Sequence, residues 1–156
     1  MMSSSASRKE YSASTNHQAA VEDIMKRFAS RTGLDQGGDL YKLRYLWTDS
    51  FAVGNYLQLA RSTGNNDYRE MALHLVDAVH NSLGRFRSDD RGGRADSWLS
   101  GSSKHPTAAG LRIGKFLNEK QPEDRFDRDT EWDKDGQYFH YLTKWMMALD
   151  QMTRHT

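Results

Sequence analysis

The hydrophobic residues of this chain recur with a helical period in four stretches, which polar residues and glycines separate. In the first stretch, Val21, Ile24, Met25 and Phe28 follow the spacing i, i+3, i+4, i+7, so a helix would carry them on one face. The pattern predicts helices at about residues 17–32, 47–61, 67–83 and 137–152. An alternation typical of strands does not recur over any length. The sequence therefore predicts an all-α fold.

The second and third predicted helices are joined by the short polar segment 63–66. Gly64 suits a left-handed helix C-cap, and Asn66 is placed to cap the next helix. Two helices joined by so short a turn must lie antiparallel, as an αα-hairpin. The third helix carries a continuous apolar stripe, which consists of Tyr68, Met71, Ala72, Leu75, Val76, Val79 and Leu83.

Two long stretches lack helical periodicity. Residues 1–16 are rich in serine and nearly free of apolar side chains, which predicts a disordered tail before a single helical domain at 17–156. Residues 34–42 are predicted to be a connection. Residues 84–136 predict a long irregular loop before the last helix, and loops of this length are often functional. Basic residues dominate the first part of this loop and acidic residues the second, so the two parts are expected to neutralise each other.

Composition excludes several classes of protein. The 156 residues correspond to about one domain, and the absence of cysteine rules out disulfides, a thiolate zinc site and a cysteine nucleophile. A net charge of +1 favours neither nucleic acid nor an anionic membrane as a partner. The sequence shows no apolar run of 18 residues and no nucleotide-binding glycine motif, and its first ten residues lack the apolar segment expected of a secretory leader. We therefore expect a cytoplasmic protein with no membrane partner and no cofactor.

Thr48, Asp49 and Ser50 stand at the start of the second predicted helix, beside Trp47. One interpretation is that one of these three residues caps the helix. The other places Asp49 at the mouth of a pocket next to Trp47. An aromatic ring can stack on the C–H face of a sugar while a carboxylate accepts hydrogen bonds from its hydroxyl groups. The sequence leaves both interpretations open.

A group of acidic residues, Glu131, Asp133 and Asp135, precedes the last predicted helix. Their spacing resembles the opening of an EF-hand loop, but Leu142 occupies the position of the required bidentate glutamate, so no metal site is expected. The carboxylates can complement the dipole of the helix. Alternatively, they pair in a cleft, where close carboxylates acquire different pKa values, as acid–base cleavage of a glycosidic bond requires.

The hairpin, together with the segments YLWTDSFAVGNYL (45–57), HPTAAGLRIGK (105–115) and EWDKDGQYFHYLTKW (131–145), resembles a bacterial branch of the six-hairpin (α/α)6 toroid glycosidase-like superfamily. The resemblance covers roughly residues 20–152. It implies antiparallel helical hairpins that form part of a toroid. It also implies a carbohydrate-like small molecule as the ligand, and a glycoside hydrolase that uses paired carboxylates.

The same resemblance implies site residues. Asp49, with Asp133 or Asp135, would supply the catalytic acid and base. The implied substrate-binding residues are Trp47, Trp132, Tyr138, His140 and His105. No metal ligand is implied.

An alternative function follows from the length of the chain. A complete ring contains six hairpins, whereas four predicted helices amount to about two. Each hairpin in such a ring buries its apolar face against its neighbours, so a partial ring leaves apolar faces exposed. The alternative is therefore a non-catalytic helical module that binds the remainder of the toroid, another partner, or a second copy of itself through those faces.

Overall fold

The structure, a computed structural model, describes residues 5–36 and 44–155. It contains four α-helices: α1 (Ser5–Thr32), α2 (Leu46–Thr63), α3 (Asp67–Leu83) and α4 (Phe139–His155). A short 3-10 helix lies at Glu131–Asp133. No strand occurs in the described ranges, which contain only two isolated β-bridges. The predicted all-α fold class is therefore confirmed.

The helix α1 begins at Ser5 and not near residue 17. The backbone of residues 5–16 is thus helical where the sequence predicted a disordered tail, and residues 1–4 lie outside the described residues. The prediction relied on apolar periodicity, which starts only at Val21. An existing helix can extend beyond that point because adding a residue costs far less than nucleating a helix. Gly33 follows α1 with a φ of 66°, a left-handed conformation that suits a glycine at the end of a helix.

Only part of the predicted apolar face of α1 is buried. Met25 and Ala29 lie in the core, and Phe28 packs against it, whereas Val21 and Ile24 are exposed. The helix therefore contacts the rest of the molecule mainly through its C-terminal half. The connection that follows it was predicted at residues 34–42, and residues 37–42 of that segment lie outside the described residues.

The helix α2 is central, since it packs against α1, α3 and α4. Its side chains are consequently buried on more than one face. Phe51 is exposed. The buried side chains are Leu46, Asp49, Ser50, Ala52, Val53, Tyr56, Leu57 and Leu59. A hydrogen bond from Trp145 Nε1 to His80 Nε2, at 3.2 Å, additionally links α4 to α3.

The turn between α2 and α3 confirms the predicted hairpin and corrects one cap. Gly64 adopts a φ of 69° and donates its N–H to the carbonyl of Ala60 at 3.0 Å. Asn66 forms no side-chain cap bond, because its own backbone is already helical. Asn65 takes that role, and its Oδ1 accepts the N–H of Asp67 at 2.9 Å. The prediction that Asn66 caps α3 is therefore wrong by one residue.

The region between α3 and α4 is irregular apart from the 3-10 helix, as predicted. An extended stretch within it, residues 111–117, connects distant parts of the fold; we call it the connecting segment. Arg112 donates its N–H to the carbonyl of Leu83 at the end of α3, at 2.9 Å. Ile113 accepts the N–H of Leu46 at the start of α2, at 3.0 Å, and donates its own to Gly136 at 2.8 Å. The segment thus fixes the loop against both helices of the hairpin.

Truncation of the hairpin core tests this packing. Leu75 is fully buried on α3, so Leu75→Ala should lower the free energy of unfolding by about 2 to 5 kcal/mol through lost burial and a cavity. Ile24→Ala, on the exposed face of α1, is the matched control and should cost less than about 0.5 kcal/mol. Urea denaturation of both variants measures the difference. Equal losses would contradict the described packing.

Candidate functional site

Asp135 is the most completely paired carboxylate of the long loop, and it is 2% exposed. It forms an ion pair and a hydrogen bond with Arg112, and its Oδ2 lies 3.7 Å from Nη1 of Arg87. Its Oδ1 also accepts three backbone N–H groups, those of Gly114, Lys115 and Gly136, at 2.8, 3.3 and 3.0 Å. These contacts hold the connecting segment in place and leave little of the carboxylate for a ligand.

Asp49 is buried as deeply, with 1% of its surface exposed, but its partners differ. Its Oδ2 accepts the N–H of Tyr45 at 3.1 Å and lies 3.8 Å from Nε of Arg44. Oδ1 has no hydrogen-bond partner among the residues that the structure describes. Burial raises the pKa of Asp49 to about 7, although the charge of Arg44 and the N–H of Tyr45 act in the opposite direction. The carboxyl group is therefore poised between its two protonation states near neutral pH.

The positions of Thr48, Asp49 and Ser50 correct the predicted cap. The residue that precedes α2 is Tyr45, and it forms no side-chain cap bond. Thr48 and Ser50 instead donate their hydroxyl groups to the backbone carbonyls of Tyr45 and Leu46, at 3.1 and 2.6 Å. The helix starts early enough to place all three residues inside its first turns, where hydroxyl side chains bond to the preceding carbonyls and Asp49 accepts the N–H of Tyr45.

Arg44, the partner of Asp49, is buried with incomplete hydrogen bonding. Its Nη2 donates to the carbonyl of Thr32 at 3.0 Å, and its guanidinium lies 5.9 Å from the ring centre of Phe28. Its Nε and Nη1 have no hydrogen-bond partner within the described ranges. An ion pair of this kind offsets only part of the cost of removing two charges from water.

Six aromatic residues from the start of α2 and the start of α4 form one group, which we call the aromatic cluster. Trp47 contacts Tyr141 and His140, with ring centres 5.2 and 6.2 Å apart. The hydroxyl groups of Tyr45 and Tyr141 share a hydrogen bond of 2.6 Å. The members are Tyr45, Trp47, Phe51, Tyr138, His140 and Tyr141. Trp47 is half-buried, while Tyr138 and His140 are exposed, so the cluster is accessible from solvent.

The structure thus brings together three of the five binding residues that the resemblance implied, namely Trp47, Tyr138 and His140. Sequence reasoning missed three members, Tyr45, Phe51 and Tyr141. Tyr141 lies within the last predicted helix, at about 137–152, but was not among the implied binding residues. The signal that could have revealed it is its position three residues after Tyr138, on the same side of a helix.

The other implied residues lie apart from the aromatic cluster. Trp132 is 83% exposed on the 3-10 helix, and His105 is exposed in the long loop. Asp133 is also exposed. Asp135 lines a cavity of about 340 Å³ to which neither Asp49 nor Asp133 contributes. The structure therefore does not join the three acidic residues around this cavity.

A second cavity, of about 420 Å³, lies where the end of α3 meets the connecting segment, and we call it the basic cavity. Its charged lining residues are Arg44, Arg85, Arg87, Arg112, Lys115, Asp89 and Asp96. Some cations of the loop are neutralised as expected. Arg91, for example, forms a bidentate pair with Asp124 at 3.1 and 2.6 Å.

The described residues therefore form an all-α fold that carries an accessible aromatic cluster and a cationic cavity. Comparisons with protein-family models, curated proteins and solved structures found no match for this chain. Within the described ranges, no helix combines the length and the apolar character needed to cross a bilayer. The same residues contain no group of three or more His, Asp or Glu side chains arranged to hold a metal ion.

Replacement of the two neighbouring acidic residues distinguishes their roles. Asp135→Asn removes the charge that faces Arg87 and Arg112, so we expect a loss of roughly 2 to 4 kcal/mol in the free energy of unfolding. The control Asp133→Asn changes an exposed side chain two positions away and should cost less than about 0.5 kcal/mol. Chemical denaturation of both variants provides the measurement. A small loss for Asp135→Asn would show that this carboxylate does not hold the loop.

The pH dependence of stability tests the environment of Asp49. Its pKa is raised from 3.8 to about 7, so between these values the folded protein retains a proton that the unfolded chain has lost. The contribution of Asp49 to stability is therefore highest below about pH 4, and it falls as the pH rises to about 7. Asp49→Asn has no such proton to lose.

We expect the stability of the wild-type protein relative to Asp49→Asn to fall by at least about 1 kcal/mol between about pH 4 and pH 7. Urea denaturation at several pH values gives this difference directly. The control is Asp133→Asn, for which the difference should stay constant over the same range. A constant difference for Asp49→Asn as well would refute the raised pKa.

Proposed function

We propose that this chain is a carbohydrate-binding helical protein related in architecture to the (α/α)6 toroids, and that the aromatic cluster is its binding surface. The observation that carries the proposal is the contact of Trp47 with Tyr141 and His140 on an accessible surface. These residues are more than 90 positions apart in sequence. Their assembly at one place by the fold supports a role beyond local packing.

The chemistry of the aromatic cluster suits a sugar. Partly exposed aromatic rings offer an apolar face to the C–H groups of a pyranose, while tyrosine hydroxyl groups can donate to and accept from its hydroxyl groups. Tyr45 and Tyr141 supply such hydroxyl groups beside the ring of Trp47. His140 adds a further polar group at the edge.

The hydrolase hypothesis has weaker support. Hydrolysis of a glycosidic bond requires two carboxyl groups about 5 to 10 Å apart with the sugar between them. Asp49 and Asp135 are both buried in separate ion pairs, and Asp133 is exposed on the 3-10 helix. One observation keeps hydrolysis as a second candidate. Asp49, two residues from Trp47, has a pKa of about 7, which is the property that a general acid needs near neutral pH.

The arrangement of the helices supports the toroid part of the proposal. The α2–α3 hairpin is flanked by α1 and α4, and α4 exposes Phe139, Met146 and Met147. In a ring of hairpins, apolar side chains at such positions are covered by the next hairpin. Their exposure is consistent with a partial ring.

A pair of tryptophan variants tests the proposed binding surface. Trp47→Ala removes the central ring of the aromatic cluster, so affinity for a saccharide that binds the wild-type protein should fall by about tenfold or more. Trp132→Ala, outside the cluster, is the control and should change the affinity by less than about twofold. A glycan array identifies the saccharide, and isothermal titration calorimetry measures the affinities.

The outcomes separate the alternatives. If Trp132→Ala abolishes binding and Trp47→Ala does not, the binding surface is not the aromatic cluster. If no saccharide on the array binds the wild-type protein, the proposed function is wrong. Release of reducing sugar from a bound oligosaccharide, lost in Asp49→Asn, would establish the hydrolase candidate instead of binding alone.

A further inference from the structure

The basic cavity contains two cations without an acidic partner. Arg87 and Arg112 are paired with carboxylates, since Asp135 contacts both and Asp89 contacts Arg87. Arg85 and Lys115 have no carboxylate within ion-pair distance among the described residues. Both line the cavity and both are half-buried, so their charges are partly removed from water without being neutralised.

The contacts of these two side chains position them but leave their charge uncompensated. The guanidinium of Arg85 lies 3.8 Å from the ring centre of Trp98 and donates to the backbone carbonyl of Asp96 at 2.8 Å. The ammonium of Lys115 lies 5.3 Å from the ring centre of Tyr45. A carbonyl oxygen and an aromatic face each attract a cation, but neither carries a net negative charge. Against these two cations stands one lining carboxylate, that of Asp96, for which the described residues offer no ion pair. The cavity therefore keeps a surplus of positive charge, and such a concave surface attracts small anions.

Arg87 and Arg112 hold the loop in place through bonds to backbone carbonyls. Arg87 donates to the carbonyls of Lys115 and Phe116 at 2.6 and 2.7 Å, and Arg112 donates to those of Ser82 and Arg85. These bonds fasten the loop to the connecting segment and to α3. Among the described residues Lys115 forms no comparable side-chain bond, so the stability of the loop does not account for its position.

Lys115 also connects the basic cavity with the aromatic cluster. It lines the cavity, while its ammonium contacts Tyr45, whose hydroxyl group is bonded to that of Tyr141 in the cluster. The two surfaces are therefore adjacent at Lys115. One ligand can place a sugar ring against the aromatic cluster and a negatively charged substituent at the cation.

We propose that the ligand of this chain is an acidic saccharide, which carries a carboxylate or phosphate group, and that Lys115 and Arg85 bind this group in the basic cavity. The inference rests on the proposed function, because it uses the aromatic cluster to bind the sugar ring. It extends that function by assigning the charge of the ligand. The volume of about 420 Å³ is sufficient for such a substituent and part of its sugar.

The experiment compares three probes by isothermal titration calorimetry on the whole chain: a galacturonate trisaccharide, the neutral galactose trisaccharide of the same linkage, and a sugar phosphate. The wild-type protein should bind at least one acidic probe about tenfold more tightly than the neutral one, because hydrogen bonds to charged groups are the stronger ones. The acidic probe that binds more tightly identifies the group. The preference should shrink at high salt, as expected for a partly exposed ion contact.

Two lysine variants provide matched controls. Lys115→Gln should remove most of the preference for the acidic probe and leave the affinity for the neutral probe within about twofold. Lys120→Gln makes the same change at a lysine that also lies over a ring, 5.2 Å from the centre of Phe126, but pairs with Glu131 and does not line the cavity. It should keep the preference. Arg85→Gln should weaken only the acidic probes, and thermal melts verify that each variant is folded.

Each result has a defined meaning. Equal binding of acidic and neutral probes by the wild-type protein would overturn this inference and leave the proposed function standing. A preference that survives in both Lys115→Gln and Arg85→Gln would overturn the assignment to the basic cavity. If the wild-type protein binds no saccharide on the array and no probe in the calorimeter, the proposed function is refuted, and this inference is refuted with it.

Discussion

The buried carboxylate of Asp135 is the contact on which the arrangement of the long loop depends. More than 50 residues separate α3 from α4, and this region has little regular structure that could position it. Asp135 compensates for this by bonding to Arg87 and Arg112 from the first part of the loop and to the backbone of the connecting segment. The two arginine charges and the backbone N–H groups offset the cost of removing this carboxylate from water. The loop is thereby held against the hairpin.

The contrast with Asp49 shows how partners decide the chemistry of a buried acid. Both side chains are almost completely removed from solvent. Asp135 accepts several hydrogen bonds, whereas Asp49 accepts one and leaves Oδ1 without a partner. Desolvation therefore dominates at Asp49 and raises its pKa. The two aspartates thus have different roles. Asp135 holds the loop in place, whereas Asp49, at the start of α2, gains or loses a proton near neutral pH.

Local patterns predicted the helical part of this fold well. The bounds of α2, α3 and α4 fall within three residues of the predicted ones, because each helix carries its own periodicity and Gly64 marks the turn of the hairpin. The start of α1 was missed, since the helix continues beyond its apolar pattern. For the site, the resemblance pointed to Trp47, Tyr138 and His140, which do meet. The roles of the acidic residues depend on partners that are far away in sequence, such as Arg87 for Asp135. A local sequence pattern cannot predict such contacts.

The same constraint positions both surfaces on which the proposed function relies. Asp135 fixes the backbone of Lys115, and this residue extends from the connecting segment toward Tyr45 at the start of α2. The carbonyl of Ile113 holds the N–H of Leu46, next to Tyr45. The basic cavity and the aromatic cluster therefore share one rigid boundary, although their residues come from three separate parts of the chain. The spacing of the groups that a ligand would contact on both surfaces is set by these bonds before it binds. The entropic cost of ordering the loop on binding is therefore small.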